Sequence, residues 1–97
     1  MARLHIVICA LMAVGLATAA PDAMEIRDRQ QLADGLFRRN MFDLAAREYA
    51  ALAETPGAPD VDVLLFRLGE CYRRLSRTDD ANKVYQRLAK DFPNGKP

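Results

Sequence analysis

The second half of the chain contains the segment Leu65-Phe66-Arg67-Leu68-Gly69-Glu70-Cys71-Tyr72, followed by Ala81-Asn82-Lys83-Val84-Tyr85 and then by Pro93. The apolar side chains of the first part recur three and four residues apart, which is the spacing of one helix face. These side chains are Leu65, Leu68, Tyr72 and Leu75. Gly69 and Ala81 are small, as expected where two antiparallel helices approach closely. This half of the chain therefore predicts a helical hairpin.

The same pattern occurs thirty-six residues earlier in the chain. Small residues align with small residues, Tyr with Tyr, and Leu with Leu, apart from one Leu that aligns with a Tyr. The aligned pairs are Leu32-Ala33 with Leu68-Gly69, Leu36 with Tyr72, Ala45 with Ala81, Tyr49 with Tyr85, and Leu52 with Leu88. This agreement predicts two copies of one structural unit. The alternative is an antiparallel arrangement of four helices whose repeat is accidental.

Residues that favour turns separate the four apolar segments. We predict helices at about 22–39, 42–54, 60–75 and 78–91. Asn40 and Ser76 lie thirty-six residues apart in the predicted hairpin turns, and Asn tolerates the left-handed conformation that ends a helix. Asp60 and Thr78 are candidate N-caps. The segment 55–59, Thr-Pro-Gly-Ala-Pro, should separate the two hairpins because neither Pro can continue a helix.

The second copy resembles the tetratricopeptide repeat (TPR) signature W-x2-L-G-x2-Y, A-x3-F, P, with Leu65 in the place of the Trp. In the first copy Arg29 takes that place, Ala33 replaces the Gly, and the closing Pro is displaced to Pro56. The resemblance extends from about Ile26 to Pro93. It implies an all-α fold, an α-solenoid of two antiparallel helix-turn-helix hairpins, with repeats at about 26–57 and 62–93.

The N-terminus has the pattern of a secretory signal peptide. Arg3 precedes an apolar run, 6–20, that closes on Ala17-Thr18-Ala19. We predict a signal peptide at 1–19, cleaved after Ala19, and a TPR-like domain at 20–97 in an exported, periplasmic protein. The alternative is a retained membrane anchor, although the run is shorter than the roughly twenty residues that span a bilayer.

A signal peptide together with such repeats resembles the envelope branch of the TPR family. Members of that branch include the coordinator of the Tol-Pal system and the outer-membrane assembly lipoprotein of the Bam complex. The segments that carry this likeness are 68–72, Leu-Gly-Glu-Cys-Tyr, and 91–93, Asp-Phe-Pro. The resemblance implies partners among other proteins, or peptide segments, of the cell envelope.

In TPR domains the first helix of each hairpin lines a groove that receives peptides. The resemblance therefore implies a protein-binding groove formed by Arg27, Gln30, Gln31, Asp34, Phe37 and Arg38 from the first hairpin, and by Val63, Phe66, Arg67, Glu70, Arg73 and Arg74 from the second. Arg beside Phe suits an extended peptide, because guanidinium groups donate to carboxylates or carbonyls and rings contact apolar side chains. The alternative for Arg73, Arg74 and Arg77 is a solvated helix end.

Composition excludes other classes of function. The net charge is +1, and a mixed surface of both signs gives no general attraction to nucleic acid. The only His is His5, within the leader, and a single Cys, Cys71, follows the leader. No triad, thiol–imidazole pair or metal cluster can be assembled from such residues. We therefore predict no enzyme, cofactor, metal or small-molecule substrate, and inert packing for Cys71.

Two repeats are fewer than the three or more that helical solenoids usually need. One hypothesis is an adaptor whose groove binds a segment of an envelope partner. A second is a structural element that self-associates around Val84 and Leu88 or continues into a further repeat beyond this sequence. A third is a membrane-tethered subunit of an envelope complex.

Overall fold

The computed structural model describes residues 21–94, which form four α-helices and no strand. The helices are α1 (Ala23–Arg38), α2 (Phe42–Ala53), α3 (Val61–Arg74) and α4 (Thr78–Asp91). The all-α prediction is confirmed for this part of the chain, and each helix begins and ends within one residue of its predicted bounds. The predicted signal peptide, 1–19, and its cleavage after Ala19 lie outside the described residues.

Both hairpin turns end the preceding helix in the same way. Asn40 and Ser76 adopt left-handed backbone conformations, with φ of 61° and 59°. The next amide donates backwards in each turn, from Met41 to the carbonyl of Leu36 at 2.9 Å and from Arg77 to that of Tyr72 at 2.8 Å. This is the Schellman motif, which satisfies carbonyls at the end of a helix. With three residues in each connection, α1 and α2, like α3 and α4, are adjacent antiparallel helices.

The helix starts differ from the sequence prediction. Thr78 is the first residue of α4 and not its N-cap, because the chain enters the helix directly after the left-handed Ser76 and Arg77 takes the cap position. Asp60 does precede α3, but its φ of 51° differs from the extended backbone of an ordinary N-cap, and its side chain makes no cap hydrogen bond. The side chain that caps a helix is Asp22, whose Oδ1 accepts from the amide of Glu25 at 2.8 Å.

Each helix packs on its neighbours in sequence, so α2 and α3 are the two inner helices of the described fold. The core consists of Ile26, Ala33, Ala45, Ala46, Tyr49, Leu52, Ala53, Leu64, Leu65, Leu68, Gly69, Cys71 and Ala81. Leu64 and Cys71 extend the buried face of α3 beyond the predicted stripe. Among residues 21–94, no helix combines the length and the apolar character needed to cross a membrane.

Aligned positions of the two copies differ in burial. Leu32 is 52% exposed, whereas its counterpart Leu68 is 5% exposed. The reason is that α3 packs on both α2 and α4, whereas in the described residues α1 packs mainly on α2. The same asymmetry applies to Leu52 of the inner helix α2, which is buried, and Leu88 of α4, which is half-buried. Aligned residues of the two copies therefore differ in their exposure to solvent, although their sequences repeat.

Candidate protein-binding surface

Six residues of the predicted groove lie together around a depression of about 380 Å³. They are Phe37 from α1 and Val63, Phe66, Arg67, Glu70 and Arg74 from α3. The α3 residues recur three and four positions apart, so one face of this helix forms most of the lining. We call this surface the central depression. It combines apolar side chains with two guanidinium groups.

Aromatic rings of the first hairpin hold both guanidinium groups in place. The Arg67 guanidinium lies over the Phe37 ring, 5.4 Å from its centroid, and the Arg74 guanidinium lies over the Phe42 ring at 5.5 Å. Neither Arg forms an ion pair with any residue between 21 and 94. The rings orient the two cations. Arg74 is also near enough to Glu70 for its charge to help lower the pKa of that carboxyl.

Glu70 lies between these two cations along α3 and has its own partners. Its carboxylate accepts from the Tyr85 hydroxyl at 2.6 Å and from Arg73, at 2.9 Å from Nη2 and 3.1 Å from Nε. The hydrogen bonds from Arg73, followed by the one from Tyr85, lower the pKa of Glu70 to about 2. Burial, followed by the Glu70 contact, raises the pKa of Tyr85. Glu70 therefore stays ionised while its acceptor positions are engaged within the protein.

We expect this carboxylate to contribute to stability in a pH-dependent way. Its pKa in the folded protein is about 2, below the ordinary 4.5, so its contribution is fully present above pH 4.5 and is lost as the pH falls toward 2. As the pH falls through this window, the free energy of unfolding of the Glu70→Gln variant should decrease less than that of the original chain. The measurement is urea denaturation at each pH. Asp28→Asn, at an exposed residue beyond the first turn of α1 without a side-chain hydrogen bond or ion pair among the described residues, is the control and should follow the original chain. Identical profiles for Glu70→Gln and the original chain would contradict the prediction.

The first hairpin contains the same type of bond. The Tyr49 hydroxyl donates to Oδ1 of Asp34, fifteen residues earlier, as the Tyr85 hydroxyl does to Glu70. Burial, together with the Asp34 contact, raises the pKa of Tyr49. Asp34, predicted as a groove residue, thus joins α1 to α2. The recurrence of an acid fifteen residues before a Tyr in both copies is the sequence signal that would have identified these bonds.

The other predicted groove residues lie outside the central depression. Arg27 and Gln30 line a separate cavity of about 730 Å³ between the start of α1 and the connection from α2 to α3. The rest of its lining is Ala23, Met24, Ile26, Gly57 and Pro59. Gln31 and Arg38 are exposed on α1 and line neither cavity. Sequence reasoning also missed Phe42, whose ring contacts the Arg74 guanidinium. Phe42 begins the second helix of its hairpin, whereas the predicted groove included residues of the first helices alone.

Cys71 is fully buried beside this surface, and burial raises the pKa of its thiol to about 11. A thiol in this environment is poorly nucleophilic near neutral pH, in agreement with the packing role predicted for it. In the described part of the chain, no three His, Cys, Asp or Glu residues are grouped so that they could hold a metal ion. The chemistry of the surface is therefore that of apolar contact and charged hydrogen bonding.

Comparison with known proteins identifies the class of the second hairpin. Residues 63–95 match the family model for the tetratricopeptide repeat, and this match covers nearly all of α3 and the whole of α4. It supports the TPR family, whose repeats generally mediate protein–protein interaction without catalysis. No curated protein and no solved structure matches the chain.

Proposed function

We propose that this chain is a non-catalytic adaptor of the bacterial cell envelope that binds a peptide segment of a partner protein in the central depression. The observation that carries the proposal is the convergence of Phe37, from α1, with Phe66, Arg67 and Arg74, from α3, around one concave surface. Both hairpins contribute to it through their first helices. A surface formed in this way depends on the packing of one hairpin on the other.

The lining has the two kinds of group that a peptide site requires. Phe37, Val63 and Phe66 offer apolar contact, and the planar guanidinium groups of Arg67 and Arg74 offer several donors each. The volume, about 380 Å³, is near the lower end of the roughly 300–1,000 Å³ of ligand pockets. We therefore expect a few side chains of an extended segment to enter it, with the rest of the partner outside.

Export and location in the periplasm belong to the same proposal. The sequence pattern at 1–19 supports them, and two hairpins stacked as an α-solenoid would suit an envelope member of the TPR family. Retention of the leader as a membrane anchor is the alternative. N-terminal sequencing of the protein recovered from the envelope distinguishes the two, because cleavage after Ala19 leaves Ala20 as the first residue.

The exposed faces of α1 and α4 disfavour the second hypothesis, in which two copies of the chain associate end to end. At positions where α3 has Val61, Leu64 and Leu65, the aligned residues of α1 are Glu25, Asp28 and Arg29, all of them exposed. At two positions where α2 has Ala46 and Ala50, α4 has Asn82 and Gln86, also exposed. Stacking α1 of one copy on α4 of another would bury these polar and charged groups, which is costly unless each finds a partner.

Site-specific photocrosslinking tests the adaptor proposal. A photoreactive benzophenone amino acid is placed at position 66, inside the central depression, or at position 51, an exposed Ala of α2. In cells of the native bacterium, we expect a discrete crosslinked product from position 66 and none from position 51. Absence of a product at both positions, or equal products at both, would show that the central depression is not the binding surface.

A further inference from the structure

We infer that one end of the fold docks on a membrane surface that contains anionic phospholipids. This end consists of the two hairpin turns and the helix ends beside them, and we call it the basic end: residues 35–47 and 70–83. The inference goes beyond the adaptor function and does not depend on a peptide ligand. Three features support it: the packing that brings the two turns together, the charge of this end, and two exposed apolar side chains.

Contacts between the hairpins place both turns at the same end of the fold. The Arg74 guanidinium, at the end of α3, lies 5.5 Å from the centroid of the Phe42 ring, at the start of α2. At the other end, the start of α1 and the connection from α2 to α3 line one cavity. The ends of α2 and α4 meet there as well, through the ion pair between Glu54 and Arg87. The two turns therefore form one surface, far from the connection between the hairpins.

The two ends of the fold differ in charge. The end opposite the turns, which we call the acidic end, consists of residues 22–30, 54–62 and 87–94. It contains four basic and seven acidic residues, whereas the basic end contains seven basic and four acidic residues. The described chain is therefore polarised along its helix axes, although its net charge is close to zero.

Ion pairs within the basic end leave an excess of exposed cations. Glu70 and Asp80, two of its four acidic residues, are held by Arg73 and Arg77. The basic residues that remain outnumber the two other acids and are all exposed: Arg38, Arg39, Arg47, Arg74 and Lys83. The negative potential at the surface of a bilayer with anionic lipids attracts such a cluster.

Two exposed apolar side chains belong to the same end. Met41, which precedes α2, is 40% exposed, and Leu44, in the first turn of α2, is 37% exposed. The aligned residues of the second hairpin are Arg77 and Asp80, so the repeat itself does not require apolar side chains at these positions. An anionic bilayer accommodates both kinds of group, because its headgroups attract cations and its boundary with the acyl chains accepts apolar atoms. A nucleic acid would account for the charge alone.

Single-tryptophan variants test which end contacts the bilayer. The chain contains no Trp, so Met41→Trp introduces the only one, at the basic end. Met24→Trp, at a 72% exposed residue of the acidic end, is the matched control. Vesicles contain equal parts of phosphatidylglycerol and brominated phosphatidylcholine, whose bromine atoms quench a Trp that enters the acyl region. With the full-length chain, we expect a shift to shorter wavelength and quenching for Met41→Trp, and neither for Met24→Trp.

The opposite result would identify the leader as the membrane contact, because the leader precedes the acidic end. Quenching at position 24 that equals or exceeds that at position 41, or no quenching at position 41, would therefore overturn the inference. An equal shift at position 41 with phosphatidylcholine alone, or with soluble polyglutamate, would also overturn it, because the first removes the anionic headgroup and the second offers no apolar phase. Leu44→Trp is a second reporter in case the substitution at position 41 disturbs the start of α2.

Charge variants in the Met41→Trp background assign the contact to the basic end. Each Lys or Arg near an anionic surface strengthens partitioning by roughly fivefold, so Arg38→Gln/Arg39→Gln should need about twenty-five-fold more lipid for a half-maximal shift. The difference should shrink at high salt, because exposed charges are screened. Arg27→Gln/Lys90→Gln removes the same charge from exposed residues of the acidic end and should need no additional lipid. Equal lipid requirements for the two double variants would contradict the inference.

Discussion

Leu68→Ala is expected to lower the free energy of unfolding by about 2–4 kcal/mol. The Leu68 side chain is 5% exposed and belongs to the core. Its truncation removes buried apolar surface and leaves a cavity that the neighbouring helices close only in part. In a domain of this size each 1 kcal/mol shifts the melting temperature by roughly 4–8 °C, so a decrease of about 8–32 °C is expected. Urea denaturation followed by circular dichroism measures the first quantity, and a thermal melt measures the second.

Leu32→Ala is the matched control, because Leu32 occupies the aligned position of the first hairpin. This side chain is 52% exposed, so its truncation should change the free energy of unfolding by less than about 0.5–1 kcal/mol. Equal losses for the two variants would mean that Leu32 is covered in solution, and the asymmetry between α1 and α3 would then be wrong.

Gly69→Val is expected to destabilise the fold by about 2–3 kcal/mol. A Cβ at position 69 would lie 2.8 Å from Cζ and 3.0 Å from Cδ1 of Tyr85, closer than carbon atoms pack. The Tyr85 ring would have to move, and its hydroxyl would lose the hydrogen bond to Glu70. Replacing a helical Gly recovers only a few tenths of a kcal/mol through helix propensity, which is too little to offset the clash. The free energy of unfolding in urea is the measurement.

A second Gly and a second substitution at Tyr85 provide the controls. Gly35→Val places its Cβ 3.9 Å from its nearest neighbour, Nη2 of Arg38, and should change stability by less than about 0.5 kcal/mol. Tyr85→Ala removes the ring that the Val would meet, so the Gly69→Val/Tyr85→Ala double variant should lose less than the sum of the two single losses. If the losses add, the close approach of Gly69 to Tyr85 is not the cause of the destabilisation.

Local signals were sufficient to predict the helices and their turns. Apolar residues three and four positions apart define α3, and the Pro residues at 56 and 59 end the first hairpin. The left-handed turn at Asn40 was also predictable, because a helix end is determined by residues within about one turn of it. The same reasoning misplaced the N-cap at Thr78, where the geometry of the preceding turn decides the start of α4.

The composition of the central depression was only partly predictable. The resemblance to TPR domains named all six of its lining residues, but it also named Asp34, whose carboxylate accepts from Tyr49, and Arg27, which lines the other cavity. Side-chain partners on other helices decide which groove residues are engaged within the protein. Such partners are separated by fifteen or more residues and have no local periodicity.

The order of residues along the chain was enough to specify four helices, two equivalent turns and a repeat of thirty-six residues, because helical hydrogen bonds and i,i+4 contacts form between close neighbours. Packing between hairpins decided the rest: the burial of Leu68 but not Leu32, and the placement of Arg67 over Phe37, thirty positions away. Equivalent residues acquire different environments because α3 lies between two described helices, whereas α1 packs mainly on one.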